Sequence, residues 1–283
     1  ICPTARMGGP QNYGNAFLPA VHQGTPIGKA EQAVKDAQIK DIVNQRLSPS
    51  EQLRRFELLQ RINRTQVAQR QATDAMMANL NAFELAFRMQ DAMPEIMDVS
   101  EETAATIELY GADDGPTQTF GQQCLLARRF AEAGVRFIEV THGNWDQHFN
   151  LTTDHKARAE GCDKPIAGLL QDLKQRDMLK DTLVIWGGEF GRTPAAQGGD
   201  GRNHNNKGYT TWMAGGGVKG GFSYGSTDEH GYESVENICH IHDWHATILH
   251  LLGLDHERLT YRYAGRDFRL TDVHGNVAKD ILA

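Results

Sequence analysis

The run Val135-Arg-Phe-Ile-Glu-Val140 decides the predicted fold. Its apolar character is typical of a buried strand. It leads directly into Thr141-His-Gly-Asn-Trp-Asp-Gln-His-Phe149, so that Asp146 and two histidines follow the end of the predicted strand. In open α/β sheets, ligands bind at the carboxyl ends of the strands. The sequence therefore predicts a ligand site directly after residue 140.

Two later stretches repeat this arrangement. The strand-like run Thr182-Leu-Val-Ile-Trp186 continues into Gly187-Gly-Glu-Phe-Gly-Arg-Thr-Pro194, and the polar loop Gly201-Arg-Asn-His-Asn-Asn206 precedes a predicted strand at 210–214. A helix predicted at 155–177 lies between the first two strands. Because alternating strands and helices imply a parallel sheet with right-handed crossovers, we predict an α/β fold with a mostly parallel sheet.

The N-terminal half has a helical pattern instead. Ser48-Pro-Ser-Glu51 is a capping box that begins a helix, and apolar residues then recur at three- and four-residue steps as far as Met93. Further helices are predicted at 100–110, 120–133 and 243–252. We therefore expect a single domain over residues 1–283, with a helical insertion at about 30–115 and the sheet core at 116–283.

Composition limits the class of protein. The chain has 283 residues, of which 40% are hydrophobic and 23% charged, enough to bury a core. A net charge of −7 argues against a general nucleic-acid binder, although local positive charge can still attract an anionic substrate. No apolar run approaches the length of a membrane span. The four cysteines have no C-x-x-C spacing, so we expect incidental thiols.

Histidine is concentrated in the C-terminal half, where 11 of the 12 lie between His142 and His274. Asp146 and His148 are two residues apart, so in an extended backbone their side chains reach one divalent ion. Histidine with aspartate suits zinc or manganese, whereas calcium prefers more oxygens. His142 is a further ligand or a hydrogen-bond donor behind a ligand. The alternative is structural: one histidine caps a helix and Asp146 pairs with an arginine.

Three further side chains belong to the predicted site. Glu189, after two glycines, is a metal ligand, a general base or the ion-pair partner of Arg192. Arg192 can clamp an anionic group through two hydrogen bonds. His204 is a candidate ligand, or else one residue of an ordinary exposed loop.

Several other polar residues are weaker candidates. Asp228 and His230 share a short polar segment, and three histidines lie on or beside the predicted C-terminal helix, where most histidines are surface groups: His242, His245 and His250. The glycine-rich segment 215–221 is better explained as a turn than as a phosphate-binding loop. Gly221-Phe-Ser-Tyr-Gly225 fits the G-x-S-x-G pattern but opens no predicted helix, so the chain is not expected to be a serine hydrolase.

Five motifs together resemble a bacterial family known as domain of unknown function 1501. They are Trp145-Asp-Gln-His148, Gly187-Gly-Glu-Phe-Gly-Arg-Thr-Pro194, Gly201-Arg-Asn-His204, Ala214-Gly-Gly-Gly-Val-Lys-Gly-Gly221 and the segment from His242 to Leu254. The family is related to sulfatases and alkaline phosphatases. The resemblance implies a doubly wound α/β sheet, an alkaline-phosphatase-like architecture, and metal-dependent hydrolysis of sulfate or phosphate esters.

The resemblance also implies roles for individual residues. Asp146, His148 and His204 would hold a divalent metal (zinc, manganese or calcium), and Glu189 would ligate it or act as a base, with Arg192 clamping the anionic group. His142 would assist at the same site. The substrate would be a small anionic ester, such as a sulfated or phosphorylated saccharide, and export to the periplasm is common in the family.

The sequence departs from the family pattern at two places. Glu189 is followed by Phe190 where relatives often carry histidine, which leaves a second metal site short of a ligand. Gly8-Gly-Pro10 is followed by Gln11 and follows no predicted strand, whereas the family normally has a nucleophile-bearing Gly-Gly-Pro-Ser-type loop after its first strand. These departures suggest a chain that begins inside a longer protein. They favour the alternative function, a non-catalytic binding or structural member of the same fold.

Overall fold

Every sheet in the part of the chain that the structure describes is a pair of short antiparallel strands. The pairs are β1 with β4, β2 with β3, β5 with β6, and β7 with β8. Their bounds are β1 (Val184–Trp186), β2 (Gly191–Gln197), β3 (Gly201–Asn205), β4 (Trp212–Ala214), β5 (Ser226–Thr227), β6 (Ser234–Glu236), β7 (Thr260–Tyr263) and β8 (Arg266–Arg269).

The computed structural model describes residues 13–16, 18, 22–28, 32–37, 46–69, 80, 84, 87, 89–90, 92–113 and 115–283. The chain forms two compact units. The first comprises residues 1–108 and 119–143, and the second comprises residues 109–118 and 144–283. Within the described residues, no helix has both the length and the apolar character that crossing a membrane requires.

The prediction of a doubly wound, mostly parallel sheet is wrong. β1 and β4 lie where strands were predicted, but Val184 pairs with Ala214 and Trp186 with Trp212 in antiparallel register. The chain between them, 187–211, contains the β2–β3 hairpin and no helix. A parallel partner for β1 would need a long crossover, usually helical, and this connection instead brings the chain back in the opposite direction.

The first predicted strand is also wrong. Residues 135–140 form neither helix nor strand, and Phe137 is 75% exposed. Its side chain and those of Val135 and Ile138 therefore do not form part of a buried sheet. The helix that follows thus has a strand only at its C-terminal side, so that no strand–helix–strand unit is completed.

The helices agree more closely with the sequence pattern. They are α1 (Pro49–Gln69), α2 (Ala104–Tyr110), α3 (Gln118–Glu132), α4 (Leu151–Gln175) and α5 (Ile241–Leu251), with short 3-10 helices at Val34–Asp36, Gly115–Thr117 and Lys279–Ile281. The Ser48 hydroxyl accepts from the backbone N–H of Glu51, and the Glu51 carboxylate accepts from that of Ser48. Gly134, at φ +85°, follows the end of α3 as expected for a terminating glycine.

In the first unit, an apolar cluster surrounds α3. Leu126 and Phe130, one helical turn apart, pack with Met93, Val34 and Ile27. On α1, Phe56 stacks on Phe87 at a centroid distance of 4.2 Å. The predicted packing stripe of α1 is otherwise only half covered. Leu53, Leu59 and Ile62 are each more than 40% exposed.

A buried charge cluster stabilises the other face of α3. The Glu102 carboxylate lies 2.8 Å from a guanidinium nitrogen of Arg128 and 2.7 Å from one of Arg129. The side chains of Glu102 and Arg128 are only 8% and 2% exposed. Arg129 also donates to the backbone carbonyls of Glu95 and Ile96. The hydrogen bonds offset the cost of removing these charges from water.

In the second unit, α4 is held by a close approach and a buried hydrogen bond. A Cβ atom at Gly168 would lie 2.5 Å from the carbonyl oxygen of Leu109, so only glycine fits there. The buried Tyr110 hydroxyl donates to Asp172, which also accepts from Arg176. These contacts fix α4, whose first turn adjoins the candidate site.

The C-terminal helix begins earlier than predicted. Its N-cap is His240, whose ring accepts from the backbone N–H of His242, and Asp243 accepts from the backbone N–H of His240. Asp243 is therefore the third residue of a capping box and not the cap itself. Gly253, at φ +75°, follows the helix end as predicted.

Candidate metal centre

A tight loop before α4 brings Asp146 and His148 to the same place. Asn144 adopts φ +64°, a left-handed conformation that asparagine tolerates better than most residues. The backbone N–H of His148 donates to the Asp146 carbonyl. The buried Gln147 side chain donates back to the Asn144 carbonyl, and this hydrogen bond stabilises the loop. The i and i+2 side chains then reach one point, as the spacing predicts.

The β2–β3 hairpin supplies the third side chain. Arg192 of β2 pairs with His204 of β3 across the hairpin. At its other end, the Arg202 backbone N–H donates to the Gln147 carbonyl, and Gly201 lies directly against the His148 carbonyl. A Cβ atom at position 201 would be 1.7 Å from that oxygen, so the hairpin can approach the loop only through glycine.

Three ligand-type atoms form a nearly equilateral triangle. Asp146 Oδ1 lies 3.0 Å from His148 Nε2 and 3.0 Å from His204 Nε2. The two Nε2 atoms are themselves 3.0 Å apart. The Asp146 side chain is 65% exposed and those of His148 and His204 are 28% and 44% exposed, so solvent reaches the cluster.

The separations fit a shared divalent ion. Ligand atoms at about 2.1 Å from one metal lie roughly 3.0 Å apart in an octahedral shell and roughly 3.4 Å apart in a tetrahedral one. The observed 3.0 Å therefore matches three ligands on one face of an octahedron. Two imidazoles with a single carboxylate suit zinc, manganese or iron(II) better than calcium, which prefers oxygen ligands.

Gln197 determines which nitrogen of His148 faces the cluster. The side-chain oxygen of Gln197 lies 2.7 Å from His148 Nδ1. When Nδ1 donates its hydrogen to this oxygen, the lone pair of the ring lies at Nε2, on the side of the cluster. That lone pair faces the Asp146 carboxylate at 3.0 Å, an arrangement that a proton or a metal ion between them would stabilise. A hydrogen bond behind a histidine is a usual feature of metal ligands.

Arg192 pairs with Asp146, not with Glu189. Its guanidinium donates to Asp146 Oδ1 at 2.6 Å and to the carbonyls of Trp145 and Arg202. Hydrogen bonds from Arg192 and then from His204 lower the pKa of the Asp146 carboxyl below its ordinary value. Asp146 is therefore ionised at neutral pH, as a metal ligand must be. The alternative pairing of Asp146 with an arginine is thus present within the same cluster.

Phe190 supports the cluster from one side. Its ring lies on that of His204 at a centroid distance of 4.1 Å, and the Arg192 guanidinium lies 5.7 Å from the Phe190 centroid. Phe190, which stands where a histidine was expected, therefore orients His204 and Arg192. Aromatic contact of this kind favours one ring position for His204.

Other predicted residues lie outside the three-atom cluster. Glu189 is exposed, next to Phe190, and its carboxylate does not belong to the cluster. His142 is part of the first unit, where its ring packs edge-on against Phe120 at 4.7 Å. Among the described residues, only Asp146, His148 and His204 form a group of ligand atoms compact enough for one ion.

A cavity of about 490 Å³ lies beside Arg192, the residue that pairs with Asp146, and the three ligand residues themselves do not line it. Residues of the Asp146 loop, the first turns of α4 and the hairpin form its walls: Trp145, Gln147, Leu151, Thr152, His155, Lys156, Arg192, Thr193 and Arg202. Three of these are arginine or lysine, and none is acidic. Its volume lies within the range of small-molecule sites.

Gln197 and Arg202 belong to the site, although no sequence pattern predicted them as site residues. Gln197 is one polar residue among several in the segment after Pro194, and only the pairing of Gln197 with Gly201 places it behind His148. Arg202 stands two residues before His204 in the Gly201–His204 motif, in which only His204 was predicted to be a ligand. The two-residue spacing of a strand would have placed the side chains of Arg202 and His204 on one face.

Comparison with known proteins gives one match. No similar curated protein and no similar solved structure was found. The family model described as "Protein of unknown function (DUF1501)" matches residues 3–282, nearly the whole chain. The chain therefore belongs to the DUF1501 protein family.

Proposed function

We propose that this protein is a metal-dependent hydrolase of sulfate or phosphate esters, with its metal held by Asp146, His148 and His204. The observation that carries the proposal is the triangle of ligand atoms, each 3.0 Å from the other two. A second feature supports it: Gln197 leaves the Nε2 lone pair of His148 directed at the cluster. A relationship to sulfatases and alkaline phosphatases is part of the proposal, and its support is the resemblance of the sequence motifs.

Each residue has a separate task in the proposed reaction. Arg192 keeps Asp146 ionised and oriented, and Phe190 orients His204. A bound divalent ion would supply Lewis acidity and a nucleophilic water at neutral pH. Glu189 is exposed beside Phe190 and is proposed as the general base. His142 remains a predicted assisting residue.

The alternative function is non-catalytic binding by the same cluster. One observation favours it. The Thr193 hydroxyl, which lines the cavity, donates to the Ala195 carbonyl and accepts from the backbone N–H of Asn203. This hydroxyl is therefore committed to the hairpin, so that turnover would depend on a water nucleophile alone. A binding protein would take up metal and anion without turnover.

Metal content tests the ligand assignment. Wild type, Asp146→Ala and His204→Ala would be equilibrated with zinc, manganese, iron(II) or calcium, dialysed and analysed for metal. We expect about one ion per wild-type chain and at least a hundredfold weaker binding in both variants, since each loses one of three ligands. His230→Ala is the matched control, because His230 is an exposed histidine outside the cluster. Equal metal content in all proteins would contradict the assignment.

Turnover then separates the two functions. Nitrophenyl phosphate and nitrophenyl sulfate would be offered to the protein loaded with each metal. Metal-dependent release of nitrophenol that disappears in Asp146→Ala and falls in Glu189→Ala supports the hydrolase. Tight metal binding without any turnover supports the non-catalytic function.

A further inference from the structure

The two arginines that line the cavity differ in how their charge is balanced. Arg192 is paired with the Asp146 carboxylate at 2.6 Å. Arg202 is half-buried and donates only to backbone carbonyls, those of Asp200 and Gly201. Within the part of the chain that the structure describes, no carboxylate pairs with Arg202. A half-buried guanidinium without a counter-charge favours an anion beside it.

The acidic residues nearest in sequence do not balance this charge. The carboxylate of Asp200 accepts from the backbone N–H of Thr152 at the start of α4, so it is directed to the helix end. Lys156, on the next turn of α4, lies 3.7 Å from Glu160, but both side chains are more than half exposed and solvent screens the pair. The cavity therefore has a local positive charge in a protein of net charge −7.

Strand geometry gives the backbone spacing between Arg202 and the ligand residue His204. Arg202 and His204 are i and i+2 on β3, so their side chains leave the same face of the strand, roughly 7 Å apart along it. Arg192 lies between them, since it pairs with His204 and donates to the Arg202 carbonyl. An anion at Arg202 would therefore lie one short linker away from an anion at the metal.

We infer that Arg202 and Lys156 form a second anion subsite, and that the natural ligand is a small molecule with two anionic groups. One group would bind at the Asp146–His148–His204 cluster and the other between Arg202 and Lys156. The Trp145 ring, which packs edge-on against His155 at 5.1 Å, provides an apolar wall for the linker between them. This inference rests on the proposed function, because the metal cluster supplies the first subsite.

Calorimetry with two matched phosphonates tests the inference. Propane bisphosphonate carries two anionic groups on a three-carbon linker, and propylphosphonate carries one. Titrated into metal-loaded wild type, the bisphosphonate is expected to bind at least tenfold more tightly, since charge-assisted hydrogen bonds to Arg202 add roughly one to two powers of ten in affinity. Arg202→Ala should lose this advantage and leave propylphosphonate binding unchanged.

Control variants keep the result specific. Arg202→Lys retains the charge and should recover part of the advantage, and Lys156→Ala should lose part of it. Lys207→Ala is the matched control, because Lys207 forms an exposed pair with Glu233 and does not line the cavity. If Arg202→Ala unfolds, Arg202→Lys and Lys156→Ala still decide the outcome.

The two proposals fail in different ways. If the bisphosphonate binds no more tightly than propylphosphonate, or if the advantage survives in both Arg202→Ala and Lys156→Ala, the second subsite is overturned. If propylphosphonate binding is the same with and without metal and in Asp146→Ala, the metal centre is overturned. In that case a bisphosphonate advantage that still requires Arg202 supports the subsite on its own.

Discussion

Two clusters of this protein surround a carboxylate with positive groups, and they differ in burial. Glu102 is 8% exposed and lies between the guanidinium groups of Arg128 and Arg129. Asp146 is 65% exposed and faces Arg192 and two imidazoles. In the first cluster, the charges are balanced within the protein. In the second, ligand atoms face solvent and one another, so that it can accept an ion from solution.

The comparison separates a structural charge cluster from a candidate site. A buried ion pair is costly to break, because the remaining partner loses its counter-charge in a poorly solvated place. An exposed pair contributes little to stability, because water and salt screen it. We therefore expect substitutions at Glu102 to change stability and substitutions around Asp146 to change binding.

The largest expected effect is on stability at Glu102. Glu102→Gln removes the charge that faces Arg128 and Arg129, and we expect a loss of about 3 kcal/mol in the free energy of unfolding. Asp146→Asn should cost less than about 1 kcal/mol. Urea unfolding followed by circular dichroism measures both. If the two variants are equally destabilised, the difference in burial between the two clusters does not determine their contributions to stability.

The second expected effect is on metal affinity at Gln197. Gln197→Ala removes the hydrogen bond that holds the Nδ1 proton of His148, and we expect metal affinity to fall about tenfold to a hundredfold. Gln197→Glu keeps an acceptor at the same place and should retain wild-type affinity or exceed it. Isothermal titration with manganese and with zinc provides the measurement. Unchanged affinity in Gln197→Ala would show that the tautomer is held by another group.

The smallest expected effect is the pH dependence of stability. Burial acts to raise the pKa of the Glu102 carboxyl, but hydrogen bonds from Arg129 and Arg128 outweigh it, and the folded-state pKa lies below the ordinary value. The carboxylate therefore contributes its full stability above the unfolded-state pKa of about 4.3, and this contribution is lost as the pH falls through the folded-state pKa.

Unfolding curves from neutral pH down to about pH 3 check this sign. The difference in unfolding free energy between wild type and Glu102→Gln should shrink over the acidic end of that range. The difference between wild type and Asp146→Asn should change less, because Asp146 is exposed. If the unfolding free energies of wild type and Glu102→Gln changed in parallel with pH, the lowered folded-state pKa of Glu102 would be contradicted.

Local signals in the sequence predicted local structure well. Ser48 and Glu51 form the expected capping box, and Gly134 and Gly253 follow helix ends. These features depend only on neighbouring residues. The sheet depends instead on pairing between distant segments, and the apolar run at 135–140 carries no information about whether a partner strand exists. Periodicity therefore predicted a strand that the structure does not form.

The candidate site shows the same limit in another form. Asp146, His148 and His204 were predicted to meet because each would follow or precede a parallel strand, but a loop and an antiparallel hairpin bring them together instead. Glu189 was grouped by the same argument and lies outside the cluster. Gln197 depends on hairpin register, which residue type alone does not reveal.

The contact between Gly201 and the His148 carbonyl limits which substitutions the candidate metal centre can tolerate. A substitution at a ligand alters one donor atom, and the remaining donors keep their places. A side chain at position 201 would separate the whole hairpin from the loop and displace His204 and Arg192 together. The alignment of the centre is thus determined at a residue that has no functional group, and a redesign that exchanges the ligands must still preserve that glycine.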